Sequence, residues 1–466
     1  MTETISTETA DLLRDAAERA AAYLAGLEHR AAGADPAAVA RLRDALAGPL
    51  PETATDPARV LAELDALGSP ATVATAGPRY FGFVMGGSLP VTVAAATLAA
   101  AWDQNAFSST SSALGAVVDE VALRWLADLL GLPPGCGGAL VTGATTANLC
   151  GLAAARHAQL ARCGWDAGAD GLFGAPPIAV YVGAEVHTSV CKALALLGLG
   201  RDRVRVLEAD AQGAIRADRL PVLEGPAIVC AQAGNVNSGA CDPFDALRDW
   251  CDAAGAWLHV DGAFGLWAAA SPRHRSLVRG VARADSWATD AHKWGNVPYD
   301  SGVAFVREPA ALRAAMATSA AYLPTTASRE PLHYGPELSR RARGVEIVAA
   351  LRSLGRPGVA ALVERCCRHA RRFAEGLRDA GLEILNDVVL NQVVVALGDD
   401  AVCADAIERI QREGVCWCGP TRWRGRAAMR ISVSSWATRD ADVERSVASI
   451  VRCAAAARRA CAGAAA

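Results

Sequence analysis

Between residues 68 and 355, short β-branched runs alternate with helix-patterned stretches, and this alternation narrows the possible folds more than any other feature of the chain. The runs fall at 138–142, 178–182, 204–207, 227–231, 257–260 and 302–306. Strand–helix alternation on this scale predicts an α/β fold, a mainly parallel sheet wrapped by helices. Before it, residues 1–67 are helical in pattern. Leu12, Leu13, Ala16, Ala20, Tyr23 and Leu24 recur at three and four, and Pro36, Pro51 and Pro57 punctuate. That segment is either an arm that packs on a partner subunit or a cap on its own chain. From Arg356-Pro357-Gly358 the pattern changes again. Helices at 359–380, 401–413 and from Asp440, with strands near 383–385, 392–396 and 429–433, predict an α+β domain of roughly 110 residues over 356–466. The Ala/Gly tail at 454–466 is expected to fray.

A length of 466 residues suits this division into a helical segment, a large domain and a smaller one. Charge excludes a class of partner: Lys plus Arg is 46 against 49 acids, a net −3, with no basic stripe for nucleic acid. With 52% hydrophobic and 20% charged residues the chain is not disordered. The first residues carry acids where a signal peptide would carry bases, so a cytoplasmic location is expected. Two uncharged stretches, 80–102 and 129–155, are broken by Gly and Pro and read as buried soluble segments rather than spans. The 14 cysteines include no CxxC pair, which argues for free thiols and against a metal site.

The chemistry concentrates in WLHVDGAFGLW and DSWATDAHKWGNVPYDSGVAF. A strand ends in Asp261, where an open α/β sheet points its side chains into the ligand crevice. Lys293 lies between His292 and Trp294 in a weakly charged stretch, a candidate Schiff-base amine. A pyridine cofactor needs those two groups, an amine for the imine and a carboxylate to keep the ring nitrogen protonated. Taken singly, each is an ordinary surface lysine or loop acid. In Thr142-Gly143-Ala144-Thr145-Thr146 a strand meets a helix start, which either cradles a phosphate with backbone N–H groups or is simply an N-cap. His187 and Asp242 each follow a strand; the plain alternatives are a structural histidine and a turn acid.

Together these segments resemble the group II pyridoxal-phosphate-dependent amino-acid decarboxylases, a family that includes aromatic amino-acid, glutamate, histidine and tyrosine decarboxylases. The resemblance covers about 77–446 and is carried by HVDGAFG…DSWATDAHKW, with GPELSRRARG and RISVSS in support. It implies a fold-type-I enzyme: a large domain with a mostly parallel seven-stranded sheet, a small C-terminal domain, and active sites shared across a homodimer. It implies pyridoxal 5'-phosphate held by Lys293 as the imine lysine. Asp261 would sit at the pyridine nitrogen, Ala263 on one ring face and His187 on the other. Gly143, Ala144, Thr145 and His292 would hold the phosphate, and Asp242 would be a second nearby acid.

The departures carry weight. Where the family commonly has Asn-Pro-His-Lys, this chain has Asp290-Ala291-His292-Lys293, and an acid beside a phosphate is expected to turn away or to contact another group. The family's mobile loop supplies a tyrosine that protonates the substrate carbon. Counting back from Arg340-Arg341 puts the expected position near Pro331, with His333 and Tyr334 a few residues off; the loop tyrosine is Tyr334, Tyr322 or absent. Without that acid the carbanionic intermediate reacts with oxygen and yields an aldehyde. Phe83, Val84, Met85, Gln104 and Phe107 resemble the side-chain pocket, or are core residues. The apolar members suit an aromatic or other apolar substrate. The expected activity is decarboxylation of an L-amino acid to its amine; oxidative deamination and transamination, the latter through Arg430, are the alternatives, and a cofactor-free scaffold is the reading from another class.

Overall fold

The computed structural model describes residues 2–319 and 329–464. Seven strands form the main sheet: β1 (Gly137–Val141), β2 (Ala179–Gly183), β3 (Arg205–Leu207), β4 (Ala227–Gln232), β5 (Trp257–Asp261), β6 (Ser286–Asp290) and β7 (Gly302–Val306). Their order is β1-β7-β6-β5-β4-β2-β3. Neighbours from β6 through β3 run parallel, while β7 is antiparallel to both β1 and β6. The expected fold class is the observed one.

Both faces of this sheet are covered, which explains the near-continuous apolar runs. In β4, Ile228 and Cys230 face one buried cluster while Ala227, Val229 and Ala231 face the other. In β7, Ala304 and Val306 oppose Val303 and Phe305 in the same way, as the period of two requires. The helix Ala144–Ala161 lies on the first face and buries Ala147, Leu152, Ala154 and Ala155 against it. Its small side chains let the helix approach the strands closely.

The C-terminal part is a four-stranded antiparallel sheet of β8 (Glu383–Ile384), β9 (Gln392–Ala396), β10 (Gly419–Trp423) and β11 (Arg426–Ser432), ordered β10-β11-β9-β8. Helices Gly344–Asp379, Asp400–Glu413 and Asp440–Ala464 accompany it. The first is kinked at Gly355 (φ 60°), two residues before Pro357, where the sequence pattern changes. The N-terminal region folds as helices Thr2–Gly26, Pro36–Ala45 and Pro57–Ala71. Asp35 and Asp56 cap the latter two, with proline at the first helical position as helix starts favour. Its end is tied to its own chain, since Ala32 N donates to Gly414 O and Arg79 donates to Glu28 O and Val415 O. Among the described residues no helix is long and apolar enough to cross a membrane. The cysteines are all free.

Candidate active site

The turn that carries Lys293 is held from both sides. β6 ends at Asp290, and the amides of Ala291 and His292 donate to Ser301 O just before β7. Trp294 is fully buried beside Phe264, so the indole anchors the turn in the core while the preceding side chain stays partly exposed. Asn296 then clamps the turn to the small domain: its Nδ2 donates to Ser434 O and its Oδ1 accepts from Trp436 N. Lys293 Nζ lies 3.1 Å from Asp290 Oδ2, and Asp290 Oδ1 accepts the Ala144 amide at 2.6 Å. The unexpected acid therefore does not turn away; it joins the amine to the N-terminus of the helix Ala144–Ala161, where the helix dipole favours negative charge.

Gly143, in extended backbone, is required for close approach rather than for its dihedrals. A Cβ there would stand 3.3 Å from His292 Cε1, and a Cβ on Gly302 would meet Gly143 Cα at 2.4 Å. Thr142 and Thr146 share a hydrogen bond of 2.8 Å between their hydroxyls, and Thr145 is half-buried beside them. His292 Nδ1 accepts the Ser301 amide, leaving Nε2 3.6 Å from Asp290; burial depresses its pKa, with Asp290 opposing. The Tyr299 ring lies 4.3 Å from the His292 ring.

Asp261 is buried at the end of β5 and surrounded by donors. Oδ1 accepts the Ala263 amide at 3.2 Å; Oδ2 accepts from Asn148 Nδ2 at 3.2 Å and Ser189 Oγ at 3.3 Å. His187 caps the helix Thr188–Leu196, its Nδ1 taking the Ser189 amide and lying 2.8 Å from Ser189 Oγ. Burial lowers the His187 pKa, with the Asp261 charge working against it. Arg430 donates to Val236 O and has no acidic partner among the described residues; it is close enough to His187 to depress it further.

The tyrosine candidate lies elsewhere, and Asp242, beside the strand partner of Asp261, is spent on backbone. Tyr334 stands under Arg329, whose guanidinium is 4.4 Å from the ring and donates to Gly138 O at the start of β1. Gly143 follows the other end of that strand, so within this chain Tyr334 is remote from Lys293. Tyr322 lies outside the described residues. Asp242 is buried and spends both oxygens on backbone, accepting the Ile215 amide at 2.8 Å and the Gln232 amide at 2.6 Å. It braces a loop and shares no hydrogen bond with the Asp261 group among the described residues.

The pocket candidates divide. Gly86 backs onto the lysine turn so closely that a Cβ would stand 1.7 Å from Lys293 O, which brings the 83–85 segment beside the backbone of that turn. Phe83 is exposed at φ 53° with its ring 5.4 Å from that of Trp417, which stacks at 4.9 Å on Tyr80; Val84 is buried. Gln104 instead caps the helix Ala113–Leu129 through Ser112 and lines a separate depression of about 680 Å³ with Asn105, Arg340 and Arg341. Phe107 is partly buried, its carbonyl accepting from Leu332. Sequence reasoning passed over Asn148, Ser189, Tyr299 and Trp417. The first two lie in ordinary helical stretches, and only their burial marks them.

An amine, a buried carboxylate ringed by donors, an imidazole and a glycine turn at a helix N-terminus define a fold-type-I pyridoxal-phosphate enzyme. The donor set fits the cofactor once Asp290 gives up the Ala144 amide: the helix start and the Thr145 hydroxyl for phosphate, Lys293 for the aldehyde, Asp261 for the pyridine nitrogen. The chain matches the pyridoxal-dependent decarboxylase conserved domain over residues 44–397, and it belongs to that family. Tryptophan decarboxylase 1 of Oryza sativa subsp. japonica is 27% identical, covering 77% of each chain. The L-2,4-diaminobutyrate decarboxylase of Rhizobium meliloti (strain 1021) is 32% identical over 71% of this chain and 67% of its own. The crystal structure of Oryza sativa TDC with PLP and tryptamine superposes with a TM-score of 0.88 at 24% identity, over 96% of this chain and 98% of that one.

Proposed function

We propose that this pyridoxal-phosphate-dependent amino-acid decarboxylase removes the α-carboxylate of an L-amino acid with an aromatic or other apolar side chain, releasing carbon dioxide and the amine. The observation that carries the reaction is that His187, joined to Asp261 through Ser189, lies within electrostatic reach of Lys293, whose amine meets Asp290 at the start of the helix that follows Gly143. The aromatic group of Tyr80, Trp417 and Phe83 beside the lysine turn favours an apolar substrate side chain.

Bound pyridoxal phosphate supplies the sink for the electron pair left when the Cα–carboxylate bond breaks. The protein's part is orientation and charge. Lys293 would hold the cofactor's aldehyde through its amine. Asp261, ringed by donors, would hold the ring nitrogen's proton, with Ala263 against the ring. His187, neutral and with its proton on Nε2 because Nδ1 accepts the Ser189 amide, covers the opposite face and carries a proton towards Cα. Arg430, buried without an acidic partner among the described residues, offers its charge to the incoming carboxylate. Gly143, Thr145 and His292 would take the phosphate, with Ala144 joining them once its amide is released by Asp290. We assign 68–355 as the cofactor domain, 356–466 as the small domain, and a cytoplasmic homodimer as the working form. Val91, Leu98 and Trp102 line one exposed stripe of the helix Pro90–Trp102, a surface a second subunit would cover.

The test is a screen of cofactor-loaded protein against single L-amino acids, following carbon dioxide and identifying the co-product by mass spectrometry. Carbon dioxide with the matching amine of an apolar amino acid supports the reading. An aldehyde with oxygen consumption, or dependence on a keto acid, overturns it.

A further inference from the structure

Trp257, His259 and Asp261 alternate along β5 and so stand in a row on one face, under the helix Ala144–Ala161. A continuous chain of buried hydrogen bonds runs along that row. Trp257 Nε1 reaches Ser286 Oγ at 2.8 Å, and Ser286 Oγ lies 2.8 Å from His259 Nδ1. His259 Nε2 is 2.9 Å from Asn148 Oδ1, and Asn148 Nδ2 reaches Asp261 Oδ2. The direction of the chain follows from its first member. An indole nitrogen can only donate, so Ser286 accepts there. Its own hydrogen has one acceptor among the described residues, His259 Nδ1. The His259 proton is then on Nε2, donated to Asn148 Oδ1, and the amide must present its NH2 to Asp261. The reverse order would set an amide oxygen against a carboxylate oxygen and force a proton between them.

Gly151 shows that the contact is built. It lies mid-helix, where glycine costs about 1 kcal/mol relative to alanine, yet a Cβ there would meet His259 Cε1 at 2.7 Å and Nδ1 at 2.8 Å.

We infer that Asn148 and His259 are positioning residues which hold Asp261 as an anion, with the sense of the hydrogen bonds set at Trp257 and Ser286. The inference rests on Asp261 being the partner of the cofactor's ring nitrogen. Other titratable groups around this carboxylate are Cys230 on β4 and His187 beyond Ser189, the latter in turn feeling Lys293, Asp290 and Arg430. Burial holds His259 neutral, its pKa pushed down to about 4.

The experiment has two readouts on the holoenzyme. First, 15N spectra of histidine-labelled protein should show His259 protonated at Nε2 alone; protonation at Nδ1 overturns the inference. Second, removing a donor weakens the hold on the charged carboxylate, so the acid limb of the kcat profile and of the bound cofactor's absorption moves to higher pH. Asn148→Leu and Ser286→Ala should each move it by about one unit, a roughly tenfold loss below the limb, with KM little changed. His259→Gln, whose amide can donate from the Nε2 position, should keep the wild-type limb where His259→Leu does not. Trp257→Phe, distant from the cofactor, serves if Ser286→Ala does not fold. Limbs unmoved in these variants, beside a severe Asp261→Asn defect, overturn the chain alone. A mild Asp261→Asn defect removes the reading on which it stands.

Discussion

Lys293 was legible because its neighbours are unusual: a histidine and a tryptophan around an amine, in a stretch with few charges. The structure gives that context a mechanical meaning, since Trp294 is buried and Asn296 ties the turn to Ser434 and Trp436. Lys293→Ala should therefore lose turnover and the imine absorption band while melting within a few degrees of wild type; retained turnover in a decarboxylation assay would remove the lysine from the mechanism. Asn148 and Ser189 were not legible, because a polar residue on a helix is normally solvated and nothing local says that these two are buried against a carboxylate. The buried histidine has its own signature. With a folded pKa of about 4 against 6.5, His259 leaves stability untouched above pH 6.5 and removes about 3 kcal/mol as the pH falls to 4. Asp242, pushed up to about 7 by burial, has the opposite sign: its share is complete below pH 3.8 and fades as the pH rises through 7. Melting curves from pH 4 to 8 should show the acid-side loss flattened in His259→Gln and the alkaline-side loss flattened in Asp242→Asn.

Elements were easier to read than their partners. Strands buried on both faces announce themselves as apolar runs, and β1, β2, β4, β5 and β7 lie where such runs occur. β10 did not: this strand, Gly419–Trp423, alternates half-buried and exposed residues up to the buried Trp423 and lies at a sheet edge. Tyr334 shows the same limit in a loop. Counting from Arg340-Arg341 fixes its place in the chain, whereas its place in space is set by Arg329 and the far end of β1. Between the elements the phosphate turn depends on glycine meeting glycine. Gly302→Ala should push β7 against Gly143, cost about 1–3 kcal/mol, and weaken cofactor retention in equilibrium dialysis more than it lowers the melting temperature of the cofactor-free protein.

At the scale of the whole molecule, the layered architecture follows from patterning, but its surface does not. Leu98 is 54% exposed and Trp102 43%, on a stripe continuous in helical spacing with Val91. Trp102→Asp combined with Leu98→Asp should convert a dimer to a monomer in light scattering; a dimer that persists would place the interface elsewhere. The order of the sheet has one more consequence. The glycine turn belongs to β1 and the lysine turn to the β6–β7 hairpin, and β1 is zipped to β7 with Gly137 against Val306. A ribosome adding 5–20 residues each second needs on the order of ten seconds to make the chain between them. Through that interval the emerging polypeptide carries half a cradle, β1 is an unpaired edge, and Lys293 has yet to be made. Vitamin loading at Lys293 would thus wait on synthesis of the hairpin.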